Sequence, residues 1–267
     1  MKNVLYTLLL HVIIAIFAVR NYFTEKMPSN RFKKNMLNKI IKNILYIIIS
    51  FIFFTSLIIL LLRWVNPPTT AFIQQGENNS FQSIFVENNK MQKWVPIKSI
   101  SKNILLAVVA SEDQRFFDHY GFDFVEIEKA VEEKMDGGRN RGASTITQQV
   151  AKNLFLFPAK SIIRKGIELY YAVLLELIWD KKRILEVYLN VAQFGDKIYG
   201  VEAASNYYFN KPSQYLSIDE SVQLISILPN PIKFDLNNKS SYLNSRIERI
   251  KLEIKNIEKG KILEIVS

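Results

Sequence analysis

Three short stretches of this 267-residue chain hold the residue types that chemistry needs. The first is SEDQRFFDHYGFD, Ser111 to Asp123, directly after the apolar run ILLAVVA. Glu112 falls near the C-terminal end of what reads as a mostly buried helix. Desolvation and the negative end of the helix dipole both favour a protonated carboxyl there, which suits a general base working near neutral pH. The competing reading is an ordinary i, i+3 surface pair of Glu112 with Arg115, with Phe116 and Phe117 in the core and His119 as a structural hydrogen-bonder. The second is GGRNRGASTITQQVAKN, Gly137 to Asn153. A basic, glycine-rich loop enters a capped helix on which Thr145, Gln148, Gln149 and Lys152 recur at i, i+3, i+4 and i+7. Free backbone N–H groups at a helix start, followed by a lysine one or two turns later, suit a phosphate or diphosphate. The spacing is not that of a P-loop, and a solvated helix face after a loop is the alternative. The third is RKGIE, which puts Glu168 four residues after Arg164 on an otherwise apolar helix, LYYAVLLELIW. Such a carboxylate needs a partner or a purpose, and an internal ion pair with Arg164 is the plain alternative.

The elements that must position these groups begin with an anchor. From Ile44 to Leu62 about 19 residues run without a charge, close to the ~20 that a helix needs to cross a bilayer. Tyr46 and Trp64 stand at its two ends as interfacial anchors, and Arg63 can snorkel. Arg20, Lys26, Arg31, Lys33, Lys34, Lys39 and Lys42 precede it and NPPTTAF follows, so the positive-inside rule puts the first side in the cytoplasm and everything from Asn66 onward outside. Val4 to Val19 is a second apolar run of about 16 residues. It reads either as a second span or as an extension ahead of a start at Met36. Residues 66–100 read as a linker and membrane-proximal segment, with a brief strand or hairpin suggested around SIFVENN. From Ser101 helices dominate. Ser101 caps one running through SKNILLAVVASEDQRFF; Ser161 to Trp179 and Asp180 to Leu189 are two more, the latter capped by Asp180. Ser217 to Glu220 is a capping box opening SVQLISIL, and Ile247, Ile250, Ile254 and Ile257 form a stripe that Gly260 ends.

Composition narrows the classes. The first 65 residues hold nine basic side chains and one acid, against 26 basic and 24 acidic in the remainder, so +8 of the net +10 belongs to the anchor end. A nucleic-acid footprint is therefore not expected. Without cysteine there is no disulfide framework or thiolate metal site, and two histidines make a multi-histidine centre hard to build. A base, an anion cradle and a second carboxylate with basic neighbours, held outside a membrane, fit attack of a sugar hydroxyl on an anomeric carbon with a diphosphate leaving group.

The same segments resemble glycosyltransferase family 51, the peptidoglycan glycosyltransferases. EDQRFFDHYGFD looks like the family's first motif, RGASTITQQVAKNLFL its second, RKGIE its third, KKRILEVYLNVAQFG its fourth and GVEAASNYYFNKP its fifth, over roughly residues 64–235. With no transpeptidase segment after them, the likeness is to the family's monofunctional members. The resemblance implies a mainly α, lysozyme-like helical domain over residues 101–267, preceded by the anchor at 44–65 and a basic segment within 1–43. It also implies a small membrane-proximal subdomain, formed by a flexible stretch around Phe124 to Arg141. It implies Glu112 as the base that deprotonates the acceptor hydroxyl and Glu168 as the second catalytic carboxylate, near the leaving diphosphate. Ser144, Thr145, Gln148, Gln149, Lys152, Arg164 and Lys165 would shape the donor site, with Asp113 and Arg115 supporting them and Lys160 adding a cation near the growing chain. The implied substrates are lipid II and the growing glycan strand, polymerised with inversion and release of undecaprenyl diphosphate at the bacterial inner membrane. Membrane lipids and other cell-wall synthesis or division proteins are the implied partners. No cofactor is required, although a diphosphate leaves room for a divalent cation such as magnesium. A lysozyme-like hydrolase and a non-catalytic cell-wall scaffold are the rival readings; the basic anion site argues against the first and the two glutamates against the second.

Overall fold

The computed structural model describes residues 31–74, 91–137, 142–157, 161–257 and 259–264. The run from Val4 to Val19, SIFVENN and Lys160 lie outside them. Two compact units divide the chain, 1–64 and 65–267.

The first unit contains helix α1, Arg31–Leu61, without an acidic residue in its first turn. Asn35–Leu61 is long and apolar enough to cross a membrane, its most apolar 18 residues having a mean hydropathy of 2.9. Its outward apolar side chains, Tyr46, Ile47, Phe53 and Phe54 among them, are exposed.

The second unit is mostly helical. After a one-turn helix α2 (Ala71–Gln74) and strand β1 (Met91–Gln92) come α3 (Lys102–Glu112), α4 (Phe124–Met135), α5 (Ile146–Phe155), α6 (Ile162–Ile178) and α7 (Lys181–Val191). Strands β2 (Gln193–Gly195) and β3 (Ile198–Tyr199) follow, then α8 (Val201–Phe209), α9 (Ile218–Ile227), α10 (Ser241–Asn256) and α11 (Lys259–Glu264). The strands form a small sheet in the order β1-β3-β2, parallel on one side of β3 and antiparallel on the other.

Local chemistry starts most of these helices. Ser101, Asp123, Thr145, Ser161, Asp180, Ser217 and Ser240 each accept a hydrogen bond from a backbone N–H of the following first turn, and Ser217 with Glu220 completes a capping box. The core is built on α3, whose Ile104, Leu105, Ala107, Val108, Val109 and Ala110 are all buried. It packs against α9 and α10, while α5 packs against α6 and α7. At about 1.5–3 kcal/mol for each fully buried large aliphatic chain, this central helix is among the strongest contributions to the fold.

Three expectations change. Helix α3 stops at Glu112 instead of running on through Phe117, because Asp113 is extended (φ −164°) and turns its carboxylate to another helix. Gly260 does not end the last helix; α10 stops at Asn256, with Ile257 extended, and Gly260 lies inside α11. The stretch expected to be flexible is, from Phe124 to Met135, an amphipathic helix without a buried residue. It exposes Phe124, Val125, Val131 and Met135.

Candidate active site

Glu112 is the last residue of α3. Its side chain is 14% exposed, and both carboxylate oxygens are held. One accepts from Arg246 Nη2 at 3.0 Å and from the Ser111 hydroxyl at 3.1 Å; the other accepts from Gln149 Nε2 at 3.0 Å. Gln149 is itself oriented by the Tyr188 hydroxyl, which donates to its Oε1 at 3.2 Å. Complete burial, reinforced by the negative charge of Glu112, raises the Tyr188 phenol well above its usual range, so this donor keeps its proton. The carboxylate is thus fixed in one orientation by three donors on α3, α5 and α10.

Arg246 is a residue the motif reading missed. It belongs to α10, is 9% exposed, and also donates to Ser111 Oγ at 2.9 Å and to the Ser226 carbonyl at 3.1 Å. The signal was present in the sequence. Arg246 lies three residues after Leu243 and four before Ile250, on the stripe that faces the core, where an arginine must have a partner.

The second carboxylate has its own surroundings. Glu168 is buried on α6 and held by Arg164 Nη1 at 3.1 Å and by the Lys165 ammonium. The internal Arg164 pair anticipated from the spacing is therefore present, with a second cation added. Lys165 reaches across to α5, donating to Gln148 Oε1 at 2.9 Å and to Ser144 Oγ at 3.4 Å. Lys152 feels both carboxylates. Burial pushes its ammonium below the ordinary lysine range; Glu168 opposes this, Arg164 and Lys165 add to it, and Glu112 opposes it. The surface lysine of the helix-face reading is therefore largely withdrawn from water, within an electrostatic cluster of three cations and two glutamates.

Other predicted residues are used structurally. Thr145 caps α5, and its hydroxyl donates to the Gly121 carbonyl at 2.8 Å; Gln148, equally buried, donates to the same oxygen at 3.0 Å. Asp113 accepts from the backbone N–H of Ile146 at 3.0 Å and pairs with His119 Nε2 at 2.8 Å. An anion thereby sits at the positive end of α5. Arg115 pairs with Asp123 at 3.2 Å, away from Glu112.

Among the described residues, Asp113, His119 and Asp123 bring a ring nitrogen and two carboxylate oxygens within 4.8 Å of one another. Both Asp113 oxygens already accept hydrogen bonds, and one Asp123 oxygen takes Arg115 and the Glu126 N–H. His119 Nδ1 and Asp123 Oδ2 are left buried without a partner. Asp113, bonded to His119 and to the start of α5, and Asp123, bonded to Arg115 and to the start of α4, tie the turn to both helices.

Comparison with known proteins places this geometry. Residues 77–255 match the family model described as Transglycosylase. The chain is 45% identical over 196 residues to the biosynthetic peptidoglycan transglycosylase of Pasteurella multocida (strain Pm70), covering 73% of this chain and 80% of that protein. It is 48% identical over 202 residues to the one from Haemophilus influenzae (strain PittEE), covering 74% and 83%. The corresponding protein of Shewanella frigidimarina (strain NCIMB 400) is 46% identical over 205 residues, covering 77% and 86%. A helical domain that holds one glutamate at the end of its core helix and another among three cations, matched to the family model over most of its length, belongs to the transglycosylase family of the biosynthetic peptidoglycan transglycosylases.

Proposed function

We propose that this enzyme, a peptidoglycan glycosyltransferase that builds glycan strands for the cell wall, uses Glu112 as the base and the Lys152–Arg164–Lys165 cluster as the receiver of the leaving diphosphate. Lipid II and the growing strand are the substrates that family membership implies. In the reaction, the Glu112 carboxylate takes the proton from the acceptor sugar hydroxyl as that oxygen forms a bond to the donor's anomeric carbon. The bond from that carbon to the phosphate oxygen breaks on the opposite face, inverting the centre, and the electron pair leaves with undecaprenyl diphosphate. Lys152, Arg164 and Lys165 offset the charge that develops there. Glu168, buried, keeps Arg164 and Lys165 aimed in one direction. Ser144 and Gln148 fix Lys165 from the facing helix. No resident cofactor is needed; a magnesium ion arriving with the diphosphate would add to the same neutralisation.

The observation that carries this reading is one oriented carboxylate, Glu112, and a separate set of cations around Glu168, the two joined by α5, whose Gln149 holds Glu112 and whose Gln148 holds Lys165. A hydrolase acting on a neutral glycosidic bond has no diphosphate for such a cluster. Helix α1 supplies the anchor, with its basic end on the cytoplasmic side of the inner membrane and the catalytic domain on the opposite side, where lipid II presents its sugars.

The test is incubation of the purified chain with lipid-linked disaccharide pentapeptide, followed by sizing of the glycan. Glu112→Gln keeps the size and the Gln149 contact but removes the base. Polymerisation should fall by about 10²-fold or more, with precursor binding largely retained. Wild-type polymerisation by Glu112→Gln removes Glu112 from that role.

A further inference from the structure

The segment KKRILEVYLNVAQFG has a counterpart among the family motifs, yet nothing in the site just described uses its first residues. Lys181 is the first residue of α7, and its placement is costly. A cation in the first turn opposes the helix dipole, and α7 does not need it, since Asp180 already caps the helix through the Arg183 N–H at 2.7 Å. The side chain nevertheless turns inward and is only 19% exposed. Burial lowers the proton affinity of the ammonium below the lysine norm, against the attraction of Glu176.

What it reaches is the turn after Glu112. Lys181 Nζ donates to the His119 carbonyl at 2.7 Å and to Glu176 Oε1 at 2.7 Å, and lies 4.4 Å from the centroid of the Phe116 ring. Glu176, buried on α6, accepts at the same oxygen from the Thr147 hydroxyl of α5 at 2.5 Å. His119 pairs with Asp113, the neighbour of Glu112. The contacts close a ring: Glu112, Asp113, His119, Lys181, Glu176, Thr147 and, two residues along α5, Gln149, whose amide returns to Glu112. The turn also packs tightly on α6, since a Cβ at Gly121 would stand 3.3 Å from Glu176 Cγ.

We propose that Lys181 is a positioning residue for glycosyl transfer: through the His119 carbonyl and Glu176 it fixes the turn that follows Glu112 against the helix that carries Gln149. It touches no substrate. Its effect is on the orientation of the Glu112 carboxylate, so the proposal rests on Glu112 being the base. Thr145 and Gln148 tie the turn to α5; Lys181 adds a tie to α6 and α7.

The experiment uses the full-length enzyme in detergent with lipid-linked precursor, comparing Lys181→Met, Lys181→Arg, Glu176→Gln and Thr147→Val with wild type. Readouts are kcat, KM, the melting temperature, and amide hydrogen exchange over residues 113–123. For Lys181→Met, kcat should fall on the order of tenfold or more, the scale of a misplaced catalytic group, with KM within about twofold and faster exchange in the turn. Lys181→Arg should recover part of the loss. Thr147→Val breaks the ring at another link and leaves no added charge, so it carries the test if Lys181→Met does not fold; its kcat should fall in the same direction. The proposal is overturned if kcat is unchanged in Lys181→Met or, failing that variant, in Thr147→Val. It is equally overturned if KM rises while kcat holds, or if the loss vanishes well below the melting temperature. Glu112→Gln separates the two ideas. If it polymerises normally the base assignment fails, whatever Lys181 does; if it is inactive while Lys181→Met is normal, only the positioning role fails.

Discussion

Replacing Arg246 by Met removes the guanidinium and keeps most of the buried stem. The structure sets the size of the effect. Three hydrogen bonds go, to Glu112, Ser111 and the Ser226 carbonyl, and Glu112 loses its only ion-pair partner among the described residues. Breaking a buried pair from one side costs roughly 3–5 kcal/mol. Here the carboxylate keeps Gln149 and Ser111 and is 14% exposed, so the cost should lie lower, at about 2–3 kcal/mol. For a domain of this size each kcal/mol moves the melting temperature by about 2–4 °C, which predicts a fall of roughly 4–12 °C. Activity should respond separately. With one of its three donors gone the carboxylate is less firmly aimed, so kcat should fall on the order of tenfold, the scale of a misplaced catalytic group, with KM within about twofold. The assay is steady-state polymerisation of lipid-linked precursor at a temperature well below the variant's melting point, beside a thermal melt. Arg246→Met with an unchanged melting temperature and an unchanged kcat would refute the view that Arg246 holds the base.

Lys152→Ala should lower catalytic efficiency by on the order of 10- to 150-fold, the loss of a charge-assisted contact worth roughly 1.5–3 kcal/mol, with Lys152→Arg recovering only part; normal turnover in steady-state assays would take Lys152 out of the diphosphate site. Because burial puts the folded-state pKa of Lys152 below the unfolded value, the unfolded chain binds the extra proton between the two, so this group adds stability as pH rises through that window. Lys152→Met should therefore not lower the neutral-pH melting temperature, and should flatten its alkaline rise; a marked drop at neutral pH would mean that the ammonium is a net stabiliser. Removing residues 1–35 should leave insertion and polymerisation intact, because Asn35–Leu61 carries the apolar span; failure of that variant to enter vesicles would make the first apolar run a topological element.

Helix starts were legible because capping is local: a side-chain oxygen and an N–H two or three residues later are enough, as at Ser101, Ser161, Asp180 and the Ser217–Glu220 box. The Arg164–Glu168 pair was legible for the same reason. What escaped depends on partners far along the chain. The end of α3 at Glu112 is set by Asp113 reaching the N–H of Ile146, 33 residues on. The spacing of Thr145, Gln148, Gln149 and Lys152 suggested one polar face, but a shared acceptor at Gly121 draws the first two inward and leaves Gln149 for Glu112. Arg246 lies 134 residues from its carboxylate; periodicity could flag it as misplaced, though not say for whom.

Helix α1 is longer than the apolar stretch that makes it an anchor. Its 31 residues amount to about 46 Å at 1.5 Å per residue, some 16 Å more than a hydrocarbon core of ~30 Å. The surplus is stiff. Lys39 and Lys42, exposed on neighbouring turns, are therefore borne on a rod continuous with the span and not on a slack tail. Each is worth about 1 kcal/mol against an anionic leaflet, and a rod can collect that attraction only by leaning or by sinking as a whole. The tilt of the anchor should thus vary with the anionic lipid content of the bilayer, making the lipid mixture a mechanical setting of the enzyme as well as its solvent.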